Sequence, residues 1–94
     1  MSEMACLRAT VRGRVQGVFF RESTRRQAEQ SGLTGYARNM PETSIVEVVA
    51  EGDRKRLETM VEFLKRGPPA ARVDSVEVEW SGYTGRFTGF STMV

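Results

Sequence analysis

The sequence has no histidine and only one cysteine in 94 residues. Without histidine there can be no histidine triad, no histidine-bearing zinc site and no imidazole general base. Cys6 alone cannot form an internal disulfide or a thiolate cluster, and no base stands beside it in the chain. The only aspartates, Asp53 and Asp74, fall in no calcium-loop or paired-carboxylate pattern. An enzyme built on this chain would work by position and charge, and no metal site and no cofactor are expected. Long apolar runs are missing too, so no membrane span is expected. Met1 to Arg8 contains an early acid, Glu3, and no apolar core for a signal peptide; Ser2 does not fit the myristoylation pattern. The expected setting is reduced and cytoplasmic, with no membrane partner. Lysine is scarce: of 14 cations, 12 are arginines, whose planar fork suits phosphate and carboxylate.

The remaining composition, 39% hydrophobic and 28% charged, is that of a folded soluble domain, and the length fits one domain over residues 1–94. The net charge is only +2. Yet Arg8, Arg12, Arg14, Arg21, Arg25 and Arg26 place six cations within nineteen residues, interrupted by Glu22 alone. A locally basic, globally near-neutral chain fits a small anion better than a long nucleic acid.

Apolar periodicity predicts alternating elements. Leu7, Ala9 and Val11 share one face of a strand over residues 6–12. Helix formers follow from Phe20 to Ser31, with Phe20, Thr24, Gln27, Ala28 and Ser31 on one stripe and Gly32 at the C-terminal cap. Residues 33–39 and 45–51 read as strands, the second with Val46 and Val48 facing one way and Val49 at an irregularity or edge. Between them lies the turn Met40-Pro41-Glu42-Thr43-Ser44. Asp53 is the expected N-cap of a second helix, in which Leu57, Met60, Val61 and Leu64 follow helical spacing and Glu62 and Arg66 form an i,i+4 pair. Gly67-Pro68-Pro69 ends it. Val76, Val78 and Trp80 predict a one-sided strand over residues 73–80. A turn at Gly82-Tyr83-Thr84-Gly85 then leads into a last strand over residues 87–93, making the final β element a hairpin. The order β-α-β-β-α-β predicts an α+β, ferredoxin-like two-layer sandwich, a mixed sheet with both helices on one face.

The most specific stretch is Gly13-Arg14-Val15-Gln16-Gly17-Val18-Phe19-Phe20-Arg21, which joins a strand directly to a helix start. Two glycines four apart permit a tightly curved loop whose backbone amides converge, and the first-turn amides of the helix add partial positive charge. A phosphate is the natural occupant. Arg21 opposes the helix dipole unless an anion lies between, so it is the candidate clamp. Arg14, Val15, Gln16, Gly17, Val18 and Phe19 form the candidate phosphate-binding loop. Phe19 and Phe20 are read as core residues anchoring it, one of them a possible wall for an acyl group, and Gln16 as a residue shaping the loop through bonds to backbone.

This stretch resembles the signature of the acylphosphatases. Gly35-Tyr36-Ala37-Arg38-Asn39 resembles that family's second signature, and Val46-Glu47-Val48-Val49-Ala50-Glu51-Gly52 its third strand. The likeness covers most of residues 6–92. It implies hydrolysis of a carboxyl–phosphate mixed anhydride to carboxylate and phosphate, without a metal. It assigns Arg21 to phosphate binding and Asn39 to orienting the attacking water. Where the family commonly has an Asp-Gly turn, this chain has Met40 to Ile45 without glycine, which predicts a longer or bulged hairpin. Arg38 is expected on the face opposite Asn39 by strand alternation. The expected partner is a small-molecule acyl phosphate, the expected state a monomer with a weak dimer left open. Two other classes compete: a phosphate-binding or regulatory domain with weak turnover, and an RNA-binding module, which would need exposed aromatics on adjacent strands that this sequence lacks.

Overall fold

The computed structural model describes residues 3–93. The elements run β1 (Met4–Arg14), α1 (Phe20–Gln30), β2 (Thr34–Asn39), β3 (Ile45–Asp53), α2 (Arg54–Arg66), β4 (Arg72–Gly82) and β5 (Phe90–Met93). They form one five-stranded sheet in the order β4-β1-β3-β2-β5. The β1–β4, β1–β3 and β2–β3 pairs are antiparallel, and β5 runs parallel to β2. Strand β3 therefore sits between β1 and β2, the split β-α-β arrangement of the ferredoxin-like fold.

Strand alternation sends Leu7, Ala9 and Val11 of β1 and Val46, Val48 and Ala50 of β3 to the same face. There they meet Phe20 and Ala28 of α1 and Leu57, Met60 and Leu64 of α2 in one buried core. Both helices thus lie on that face. Helix α2 starts where Asp53 accepts from the amides of Lys55 and Arg56, at 2.8 and 3.4 Å. In its last turns Glu62 pairs with Lys65 at 3.3 Å rather than with Arg66, whose guanidinium lies 5.9 Å from the Phe63 ring instead. Val49 is not at an irregularity: β3 is regular, and Val49 is buried on the opposite face, where it lines a cleft with Cys6, Thr84 and Arg86. Val76, Val78 and Trp80 face the helices as the alternation requires, but they are only half-buried because β4 is an edge strand.

The final hairpin is not formed. Strand β5 is only four residues long and pairs with β2 at the opposite edge of the sheet from β4. Residues 83–89 connect the two edges, a span too long for a tight turn. The connection is tied to Glu51, a buried β3 carboxylate on the helix-free face. Its oxygens accept from the Thr84 amide (3.1 Å), the Thr84 hydroxyl (2.7 Å) and the Gly85 amide (2.9 Å). The Gly35 amide then donates to Gly89 O at 2.9 Å, and β5 takes up the free edge of β2. Among the described residues no helix is long and apolar enough to cross a membrane.

Candidate active site

Strand β1 leaves the sheet through a bulge. The β1–β4 register shifts between Arg12 and Gly13, where Gly13 has φ 137°. A Cβ there would stand 2.2 Å from Arg72 O and 2.8 Å from Asp74 N, so the backbone of β4 leaves room only for glycine. Beyond it, Val15 is 1% exposed and plugs the loop into the core. Gly17 (φ 74°) and Phe19 (φ 61°) both take positive φ and curl the chain into the start of α1. Phe19 is the N-cap of α1, and no side chain caps that end. Amides 16–19 donate to no other described residue, so the loop and the first helical turn keep donors for an anion.

These residues border a cleft of about 270 Å³ lined by Val15, Gly17, Phe19, Phe20, Arg21, Glu22, Asn39 and Thr92. That is several times the roughly 30 Å³ share of one water in the liquid. Asn39 arrives from β2: it follows Gly35 and Ala37 by strand alternation and so faces the helix layer. Its Oδ1 is buried and has no hydrogen-bond partner among the described residues. Leaving such an acceptor unmet costs about 1–3 kcal/mol, so its placement needs a reason. Arg21 donates through Nη1 to Met93 O at 2.7 Å, which holds the guanidinium at the cleft, and its other nitrogens have no hydrogen-bond partner among the described residues.

The Met40–Ile45 hairpin is indeed longer than a two-residue turn. Met40 N donates to Ile45 O at 2.9 Å, Thr43 Oγ1 donates to Met40 O at 2.9 Å, and Glu42 takes the positive φ that a glycine would usually supply. Asn39 nonetheless stays in register opposite Val46. Gln16 is one reason: its Nε2 donates to Ile45 O (2.9 Å) and Met40 O (3.3 Å), pinning the hairpin to the loop.

Of the loop residues read from the sequence, Val15, Gly17 and Phe19 line the cleft with Arg21 and Asn39, whereas Arg14, Gln16 and Val18 do not. Arg14 is exposed at the end of β1, and Val18 packs against the core. Phe19 is not a core residue: it is 81% exposed, because α1 begins one residue later and its helical phase turns only Phe20 inward. Arg38 points away from Asn39, donating to Glu47 Oε1 at 3.0 Å on the opposite face.

Two further cleft residues, Glu22 and Thr92, were not singled out from the sequence. Thr92 could have been found from its spacing, two residues beyond the buried anchor Phe90, but only once β5 is paired beside β2. Glu22 puts a carboxylate on the wall of the cleft. Hydrogen bonds from Arg25, with the charge of Arg26 nearby, hold its carboxyl down to about 2 and offset its charge. Cys6 lies on the other face of the sheet, where burial pushes its thiol up and away from thiolate chemistry.

With this geometry in place, a family model described as Acylphosphatase matches residues 7–92. The chain belongs to the acylphosphatase family. It is 49% identical over 87 residues to an acylphosphatase of Dehalococcoides mccartyi, covering 93% of this chain and 96% of that one. Among solved structures, an acylphosphatase from Coxiella burnetii superposes with a TM-score of 0.89 at 40% identity, covering 96% and 93% of the two chains. One from Bacillus subtilis gives 0.90 at 33% identity, covering 96% and 99%. The reaction is that of an acylphosphatase: an acyl phosphate is hydrolysed to carboxylate and inorganic phosphate.

Proposed function

We propose that the cleft holds the phosphoryl group of the substrate and directs water at its phosphorus, with Arg21 and Asn39 in separate roles. Arg21 and the backbone amides of residues 16–19 bind the three phosphoryl oxygens, a task that preorganised donors perform without a metal. Asn39 accepts a hydrogen bond from the attacking water through Oδ1 and so fixes its direction. The water oxygen attacks phosphorus, the bond from phosphorus to the acyl oxygen breaks, and the carboxylate leaves with that electron pair. The carboxylate is stable as an anion and needs no acid. The water proton passes to a phosphoryl oxygen, since an amide is a poor base and Glu22 is held too acidic to compete. The observation that carries this reading is that Arg21 and Asn39, whose Oδ1 has no hydrogen-bond partner among the described residues, line one cleft. We further propose that the enzyme acts as a cytoplasmic monomer on a small-molecule acyl phosphate, without nucleic acid.

Arg21 supplies the first test. Arg21→Ala should lose phosphate binding and turnover together, and Arg21→Lys should recover little, because an ammonium restores the charge without the fork. Product inhibition by phosphate, measured beside turnover, reads both. Unchanged inhibition in Arg21→Ala would remove the arginine from the phosphate site.

A further inference from the structure

We propose that the hydroxyl of Thr92 is a second group that holds the attacking water, acting together with Asn39 across the β2–β5 ladder. The inference rests on the roles given to Arg21 and Asn39 above.

Strand β5 runs parallel to β2, with Thr92 opposite Ala37. Phe90 enters the core from this strand, so Thr92, two residues on, faces the helix layer as Asn39 does. Thr92 lines the cleft with Arg21 and Asn39. Asn39 follows Ala37 by two residues, so strand spacing and rise set its Cβ about 8 Å from that of Thr92. Once the reach of both side chains is allowed for, that separation suits one water between them, at about 2.8 Å from each.

The strand itself has no need of the hydroxyl. Ala37 and Phe90, the neighbours of Thr92 on this face, are apolar and buried. Thr92 Oγ1 has no hydrogen-bond partner among the described residues, and a valine would fill the same β-branched place in the sheet. Thr24 of α1, by contrast, donates its hydroxyl to Phe20 O at 2.8 Å. The chemistry of the water supplies a use for the Thr92 hydroxyl. A water has two protons and two lone pairs. In the mechanism above, Asn39 Oδ1 accepts one proton's hydrogen bond, and the other proton passes to a phosphoryl oxygen. Donation from Thr92 Oγ1 occupies one lone pair and leaves only the other to meet phosphorus. Such a donor draws some electron density from the nucleophile. That costs little in a loose transition state, where bonding to the nucleophile is slight and direction counts for more. Thr92 keeps its own proton throughout and forms no covalent bond.

The test measures kcat, KM and phosphate inhibition with benzoyl phosphate for the wild type, Thr92→Val, Thr92→Ser, Asn39→Ala and the double variant Thr92→Val/Asn39→Ala. Thr92 is exposed on an edge strand, so its replacement leaves the core intact. Thr92→Val should lower kcat by about tenfold, the scale of one hydrogen bond, with KM and phosphate inhibition unchanged. Thr92→Ser keeps the hydroxyl and should retain most of the turnover. In the Asn39→Ala background Thr92→Val should add little, because both residues act on one water. Wild-type kcat in Thr92→Val, or a loss that Thr92→Ser shares in full, overturns the role of the hydroxyl, while impaired turnover in Asn39→Ala leaves that of Asn39 standing. Weakened phosphate inhibition in Thr92→Val, or a full tenfold loss on top of Asn39→Ala, also overturns it, since the hydroxyl then acts elsewhere than on the shared water. Wild-type turnover in Asn39→Ala overturns both roles.

Discussion

The proposed mechanism gives Arg21, Asn39 and Gln16 three separate tasks. Arg21 sits in the first turn of α1, where a cation is disfavoured by the helix dipole, and the Met93 carbonyl holds it there. Asn39 Oδ1 is buried without a partner among the described residues. Gln16 touches neither reacting group but ties the loop to both ends of the hairpin that carries Asn39. Gln16→Ala should therefore cost about 1 kcal/mol of stability for the lost bonds, and should lower kcat more than it weakens phosphate inhibition. Parallel thermal melts and kinetics check both parts. At this scale the sequence was partly legible. Context and family likeness singled out Arg21 and Asn39, and the fold brings both to one cleft. The exposure of Phe19 could not be read, because two adjacent phenylalanines look alike until the first helical residue is known. Nor could the target of Gln16, which depends on contacts 24 and 29 residues away in the chain.

Among elements, the β1 bulge positions the cradle. Gly13 lets β1 pass within contact of β4 and then turn out of the sheet, while Gly17 has open space about it and is needed for its conformation alone. Gly13→Ala should destabilise by about 2–3 kcal/mol, as expected for forced strain at a special backbone position. Gly17→Ala should cost less, about 1 kcal/mol, for a positive-φ residue without a clash. Urea unfolding of the two variants distinguishes them; equal losses would show that the close approach at Gly13 is relieved by a small shift. The first three strands were legible from their period, α1 from its helix formers, and α2 from both its period, Leu57, Met60 and Leu64, and its cap, Asp53. Strand β5 was not. Its four residues hold one apolar anchor, Phe90, and nothing local decides which sheet edge it takes. The choice is made by Glu51, 33 residues before Thr84 in the chain, and by the open edge of β2.

Across the whole molecule, Glu51 links the helix-free face to the site. By holding Thr84 and Gly85 it sets the path of residues 83–89. That path delivers β5, and with it Thr92 and the Met93 carbonyl, to the cleft. Burial pushes the Glu51 carboxyl up, but the bonds from Thr84 and Gly85 outweigh it and hold it below its ordinary value. A depressed folded value means that the carboxylate stabilises the fold above the ordinary glutamate range, about 4.3. That contribution is lost as pH falls through the folded value. Glu51→Gln should therefore be less stable than the wild type at neutral pH, with the gap narrowing as the solution is acidified below about pH 4. Denaturation followed against pH measures this, and a gap that stays constant would show that Glu51 acts by shape and not by charge.

The central claim is that binding of the phosphoryl group and orientation of the water are separate tasks. The most direct test is phosphate release from benzoyl phosphate by the wild type and Asn39→Ala, with chelator present and with inhibition by phosphate measured in the same series. Wild-type turnover should be rapid and fall by about 10²-fold or more in the variant, the scale of one preorganised hydrogen-bonding group, with phosphate inhibition unchanged. Wild-type turnover in Asn39→Ala, or loss of phosphate inhibition along with turnover, would contradict it.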